Sequence, residues 1–278
     1  MMSKNKFIDK IARGVSMKPV FGSAVFMAMV FMLNACTYDD HVVDSSGLAT
    51  SEIEAYIHVR YDGSQVVTID AQLYKGYPRV NLVDGDILRV STVGDTSQLN
   101  YSDNLFGRLL ELSDQVKILE QVRGTYNISY YTTIDAKYRD KEFTVALIRN
   151  NEQDAPNSIV KLPPDFSVSI DQMQNNTTLS RSGPMTVRWT PANLGYDMEV
   201  SGSVTCDNGD DGVWYAGRFT NQTDNYEIAA GKFSNYTGNC TVTIDVESSH
   251  RGEADPALFF ASYIQSHRIR SIAVATTE

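Results

Sequence analysis

The sequence predicts an all-β protein in which two β-sandwich-like domains of immunoglobulin-like size follow an N-terminal leader. Three observations carry this. Short runs alternating apolar and polar residues recur from residue 52 onward, the two-residue period of a strand with one buried face. The runs are rich in β-branched and aromatic residues, which suit a pleated surface. Clusters of Gly, Pro, Asn and Asp separate them, and these are the residues that turns require.

Taken in order, Ile53 to Val59 alternates, Tyr61-Asp62-Gly63 supplies a turn, and Val66 to Leu73 resumes the alternation, the signature of a hairpin. Val80 to Leu82, the turn Asp84-Gly85-Asp86 and Ile87 to Val93 repeat it, and Thr125 to Tyr131 and Phe143 to Arg149 read as further strands. One stretch has a different period. Leu105, Leu109, Leu112, Val116 and Leu119 recur at steps of four and three, with Ser102 or Asp103 available as an N-cap. A short helix within 103–122 and a pair of strands both satisfy that spacing.

Between Asp154 and Asp165, Ala155-Pro156-Asn157 and Pro163-Pro164 flank a short strand from Ile159 to Leu162. Proline fixes φ and lacks an amide donor, so a sheet ladder is expected to stop there. This places a first domain at 52–158 and a second at 159–278. The second contains seven short strands: Phe166 to Ile170, Met185 to Trp189, Met198 to Cys206, Val213 to Phe219, Tyr226 to Phe233, Cys240 to Val246, and Arg268 to Ala275. That number suits a sandwich. Trp214 lies only eight residues after Cys206, and Gly238 precedes Cys240 by two, so the cysteine-tryptophan spacing of a true immunoglobulin domain is absent.

The first 35 residues read as an export signal. Lys4, Lys6, Lys10, Arg13 and Lys18 precede an apolar run from Val20 to Leu33. Fourteen helical residues reach only about 21 Å, short of the ~30 Å hydrocarbon core, so a signal core fits better than a membrane span. Met17-Lys18 offers a second start that leaves the same mature protein. Leu33-Asn34-Ala35-Cys36 resembles the lipobox of bacterial lipoproteins. The resemblance implies cleavage before Cys36, acylation of its sulfur and amino group, and attachment to the cell envelope through lipid. Two or three acyl chains anchor a protein stably where one does not. Thr37 after the cysteine favours the outer membrane by the same resemblance. Residues 36–51, rich in Ser, Asp, Thr and Gly, are expected to form a flexible tether.

With Cys36 lipidated, Cys206 and Cys240 remain, and an exported chain is expected to join them as a disulfide. Charge excludes one class of partner. Five cationic side chains in the leader against Asp9 leave a surplus of +4, so the whole-chain −10 becomes −14 for residues 36–278. Such a surface repels nucleic acid and anionic lipid alike.

Local signatures of nucleophilic or zinc-dependent catalysis are missing: HExxH, GxSxG and Gly-rich phosphate loops do not occur. Of the four histidines, His41 falls in the tether, His58 and His267 in strands, and His250 in a loop. Asp207, Asp210 and Asp211, in the turn 207–212, could chelate calcium, although the same residues suit a soluble hairpin turn. Glu253 and Asp255 could form a carboxylate pair and read more simply as solvated loop charges. Trp214 and Tyr215 are adjacent in a strand, so one of them is expected outside, where an aromatic strip could bind a ligand. The leading expectation is a non-catalytic structural, adhesive or assembly partner in the envelope. The alternatives are a glycan- or calcium-binding module and a hydrolase assembled from distant residues.

Overall fold

The computed structural model describes residues 42–92, 116–123, 128–173, 178–192, 194–219 and 224–277. The leader, Cys36, His41, residues 103–115 of the possible helix and the start of the strand expected at Thr125 lie outside the described residues.

The first strands are β1 (Val42–Asp44), β2 (Glu54–Tyr61), β3 (Val66–Tyr74), β4 (Arg79–Asn81), β5 (Ile87–Thr92), β6 (Val116–Ile118), β7 (Glu120–Arg123), β8 (Ile128–Asp135) and β9 (Glu142–Ile148). There follow β10 (Ala155–Lys161), β11 (Ser167–Ile170), β12 (Leu179–Ser180), β13 (Met185–Thr190) and β14 (Asp197–Cys206). The last are β15 (Asp211–Phe219), β16 (Asn225–Ile228), β17 (Cys240–Arg251) and β18 (Tyr263–Thr277). The all-β expectation therefore holds.

One sheet runs through the whole structure. Its path is β1-β4-β3-β2-β18-β17-β14-β15, with β7, β8 and β12 paired alongside. A four-stranded sheet, β10-β9-β5-β6, covers one end of it, and a three-stranded sheet, β11-β13-β16, covers the other. Each covering sheet encloses its own core. The first is built from residues such as Ile57, Val59, Ile69, Leu73, Val90, Phe143 and Val145. The second gathers Met185, Val187, Trp189, Val200, Val242, Ile244 and Val274. The chain passes from one to the other between Leu162 and Phe166 across Pro163-Pro164. Strand β18 serves both, because Ile264 packs in the first core and Val274 in the second.

Several local expectations are corrected. Val116–Ile118 and Glu120–Arg123 are strands, so the described part of the 103–122 stretch is not helical. Pairing of β6 with β5 and of β7 with β8 overrides the 3.6-residue spacing. The Asp84-Gly85 turn does not close a hairpin. Strand β4 belongs to the long sheet and β5 to the four-stranded one, and positive φ at Asp84 (56°) and Gly85 (91°) carries the chain between layers. The strand expected across Tyr226 to Phe233 ends at Ile228, and His250 lies in β17 rather than in a loop.

Residues 42–51 are not a flexible tether. Strand β1 pairs in parallel with β4, and Ser45, Leu48 and Thr50 are buried. The Arg149 guanidinium holds this segment through the carbonyls of Ser45 and Leu48, at 2.9 Å each.

Candidate functional site

Alternation along the long sheet sorts its side chains into two sets. On β2, Ala55, Ile57, Val59 and Tyr61 point into the first core, which leaves Glu54, Tyr56, His58 and Arg60 on the opposite face. Register then aligns neighbours: β2 pairs antiparallel with β3 (Tyr56 with Gln72, His58 with Asp70) and parallel with β18 (Tyr56 with Tyr263, His58 with Gln265). Strand β18 pairs with β17 so that Ser249 meets His267 and Glu247 meets Ile269. Four strands thus bring a polar and aromatic cluster together, with contacts between residues 205 and 209 positions apart.

At its centre is a chain of four hydrogen-bonded side chains. The Tyr263 hydroxyl lies 3.3 Å from His58 Nε2, His58 Nδ1 lies 3.0 Å from His267 Nε2, and His267 Nδ1 lies 2.6 Å from Glu247 Oε1. Burial pushes the His58 imidazole below its usual range. Asp70 across the strand pair opposes that shift, while Arg60 and the neighbouring His267 reinforce it. The facing nitrogens are 3.0 Å apart and the ring centroids 5.2 Å apart, so the rings meet nearly head-on. That leaves no room between them for a metal ion, whose bonds to imidazole nitrogen are about 2.0–2.1 Å each.

Beside this chain stands a row of tyrosines from three strands. Tyr74 and Tyr56 have centroids 5.2 Å apart, and Tyr56 stacks on Tyr263 at 4.8 Å with planes 20° apart. A guanidinium stands at each end, Arg79 over Tyr74 at 4.1 Å and Arg251 over Tyr263 at 5.8 Å. The Tyr56 hydroxyl donates to Glu54 at 2.5 Å, which with burial pushes its pKa up to about 12. Burial also raises Tyr74 and Tyr263. These hydroxyls therefore remain protonated donors through the physiological range. Arg251 also borders a cleft of about 350 Å³ lined by Gly252, Pro256, Leu258, Phe259 and Phe260, and Phe260 is 89% exposed.

The residues picked out from sequence lie elsewhere. Cys206 and Cys240 form a disulfide, joining register partners on β14 and β17, so it ties adjacent strands of one sheet rather than two layers. Near it, Asp207 accepts from the Asn239 backbone and side chain, and Asp210 accepts from Asn208 and Thr237. Among the described residues no three His, Cys, Asp or Glu side chains converge as metal ligands.

Trp214 and Tyr215 part company as alternation requires. Trp214 packs inward, edge-on to Phe233 at 5.5 Å, while Tyr215 points out and is 57% exposed. They do not form one strip. Glu253 is exposed, but Asp255 is not the solvated charge expected. It is buried, accepting from the amides of Asn157 (2.7 Å) and Ala257 (2.8 Å), and so fastens the β17–β18 loop to β10. Among the described residues no serine hydroxyl or thiol is hydrogen-bonded to an imidazole; His250 packs edge-on against Tyr196 at 5.1 Å.

No protein-family model matches the chain. No curated protein sequence matches it either. Solved structures do align over most of it, at low similarity. The trypsin-activated alpha-2-macroglobulin of Escherichia coli is 9% identical with a TM-score of 0.27, covering 82% of this chain and 16% of that one. The FN1–FN3 domains of chicken CNTN1 are 13% identical with a TM-score of 0.28, covering 83% and 69%. The adhesin InvE of Yersinia pseudotuberculosis is 11% identical with a TM-score of 0.24, covering 82% and 60%. The chain spans about a sixth of the macroglobulin's length.

The sequence reading put His58, His267 and Tyr56 in strands, left Tyr263 before the strand expected at Arg268, and held no local signal joining them. A period-two reading of β2 and β18 puts each on a polar face; only the parallel pairing of those strands brings the faces together.

Proposed function

We propose that this chain is a lipid-anchored protein of the bacterial cell envelope that acts without catalysis, holding a protein partner against the outer face of its long sheet. The observation that carries this reading is the row Tyr74, Tyr56 and Tyr263 with Arg79 and Arg251 at its ends. Tyrosine and arginine are the residue types on which protein interfaces concentrate their binding energy. Here the ring faces are turned to one another and to two guanidinium groups. The row therefore presents hydroxyls, ring edges and charge, rather than the open ring faces a sugar would stack on. Beside it, the cleft at Phe259 and Phe260 gives an apolar anchor point. The anchor itself rests on the lipobox and Cys36, with the outer membrane as the favoured destination.

The test uses the native lipidated protein and a Tyr74→Ala/Tyr263→Ala variant, each offered detergent-solubilised envelope. A protein held by the first and released by the second supports the reading, and equal retention by both overturns it. Melting-temperature shifts with an oligosaccharide panel or Ca²⁺ would replace the protein partner with one of those ligands. Intact-mass spectrometry checks the anchor: a chain beginning at an acylated Cys36 is expected, and an unmodified cysteine or retained leader removes it.

A further inference from the structure

The order of protons along the four-residue chain follows from its ends. An ionised Glu247 can only accept, so His267 carries its proton on Nδ1 and, being neutral, offers a lone pair on Nε2. His58 must then donate from Nδ1, which leaves its Nε2 as an acceptor for the Tyr263 hydroxyl. One carboxylate thus sets the direction of three hydrogen bonds and holds both imidazoles as Nδ1–H tautomers.

Adding one proton changes that direction without breaking the chain. His267 becomes an imidazolium, keeping Nδ1–H toward Glu247 and gaining Nε2–H toward His58. His58 then accepts on Nδ1 and moves its own proton to Nε2, from which it donates to the Tyr263 oxygen. The Tyr263 hydrogen, no longer needed inward, is free to donate outward. A second proton is not accommodated, because two N–H groups and two positive charges would face each other at 3.0 Å.

We propose that the Glu247, His267, His58 and Tyr263 chain is a proton-operated switch of the recognition face, reversing the donor and acceptor pattern of Tyr263 on mild acidification. The inference rests on the reading of this face as the recognition surface. The groups that face the switch come from every neighbouring strand, including Glu199 of β14, the register partner of Glu247. Asp70 of β3 stands opposite His58 and is paired with Arg60 of β2 at 3.6 Å, and Tyr131 of β8 lies beyond Asp70. On the other side, Tyr56 of β2 stacks on Tyr263, and Glu247 and Arg251 of β17 meet His267 and Tyr263. At His58, Arg60 raises the cost of a proton, while Asp70 and Glu247 lower it. Burial, the largest influence, holds the His58 imidazole below its usual range.

Nitrogen-15 NMR of the imidazoles in the mature, disulfide-bonded protein reads the tautomers directly. At neutral pH both rings are expected as Nδ1–H, and on acidification the pair takes up one proton with the two rings shifting together. Glu247→Gln supplies an amide that can donate, so it should release the tautomer lock on His58 as well as on His267. Nε2–H tautomers at neutral pH, independent titration of the rings, or a Glu247→Gln effect confined to His267 would each overturn the switch. For the partner retained at neutral pH, affinity should change about fivefold or more between neutral and mildly acid solution, the low end of ordinary coupling between sites. Tyr263→Phe, which keeps the stack but removes the hydroxyl, should flatten that change to less than about twofold; a pH-independent wild-type affinity also overturns the switch. The stated tautomers with no partner captured at neutral pH would overturn the recognition reading and leave the proton chain standing.

Discussion

Arg149 and Asp86 form an ion pair sealed from solvent, with Nε 2.8 Å from Oδ2 and side chains 1% and 6% exposed. The same guanidinium reaches Thr50 Oγ1 and the carbonyls of Ser45 and Leu48, and the same carboxylate accepts from Ser45 Oγ and the Asn150 amide. Removing one partner leaves a buried charge uncompensated, which costs about 3–5 kcal/mol. Asp86→Ala is therefore expected to lower stability by that amount and to release residues 42–52. Urea unfolding and amide exchange of Ser45 and Leu48 check both effects, and unchanged exchange there would refute the anchoring role.

Linkage gives acid sensitivity in two steps. Burial depresses the His58 pKa, so the folded protein binds fewer protons there than the unfolded one. The associated stability is fully present above the unfolded imidazole value of about 6.5 and is lost as pH falls through it toward the lower folded value. Partial desolvation opposes ionisation of the exposed Asp165, but Arg270 and Arg268 outweigh it and hold its carboxyl below the usual range. Its contribution is present above a pH of about 3.8 and disappears below it. Thermal unfolding followed from neutral to acid pH should show both losses, and His58→Gln should abolish only the upper one.

Gly202 has no room for a side chain. A Cβ there would overlap the Thr243 carbonyl on the neighbouring strand and crowd the Trp214 indole nitrogen. Gly202→Ala should destabilise by about 1–3 kcal/mol, the cost of overpacking. A shifted Trp214 fluorescence maximum should accompany it, since that indole N–H is buried without a hydrogen-bond partner among the described residues.

Replacing both Cys206 and Cys240 by alanine opens a link between residues 34 apart in sequence. The expected loss is about 2–4 kcal/mol. Calorimetry of the wild type with and without reductant should reproduce the difference between wild type and variant. Equal melting temperatures would mean that strand pairing alone holds β14 to β17.

The fold was legible wherever a strand shows one wet face and one dry one. Strands β2, β3, β13 and β14 alternate clearly, and their positions follow from period alone. Long-range pairing was hidden. Nothing near Tyr263 announces that β18 lies parallel to β2, so the shared sheet and the His58–His267 contact emerge only in three dimensions. Asp255 misled for a related reason: it sits in a polar loop, yet Asn157 and Ser158, about 100 positions earlier, bury it. The cysteine pair was readable because the expectation of export, with Cys36 set aside, left two thiols with one simple outcome.

Strand β18, the fifteen residues from Tyr263 to Thr277, completes both cores at once. Neither half can therefore close while residues 263–277 are still being made, and β2 must wait for a partner synthesised some 200 residues after it. Assembly governed by such distant pairings is slow, because the entropy of closing the long loop is spent before any contact repays it. Truncation before residue 263 should leave no independently stable half.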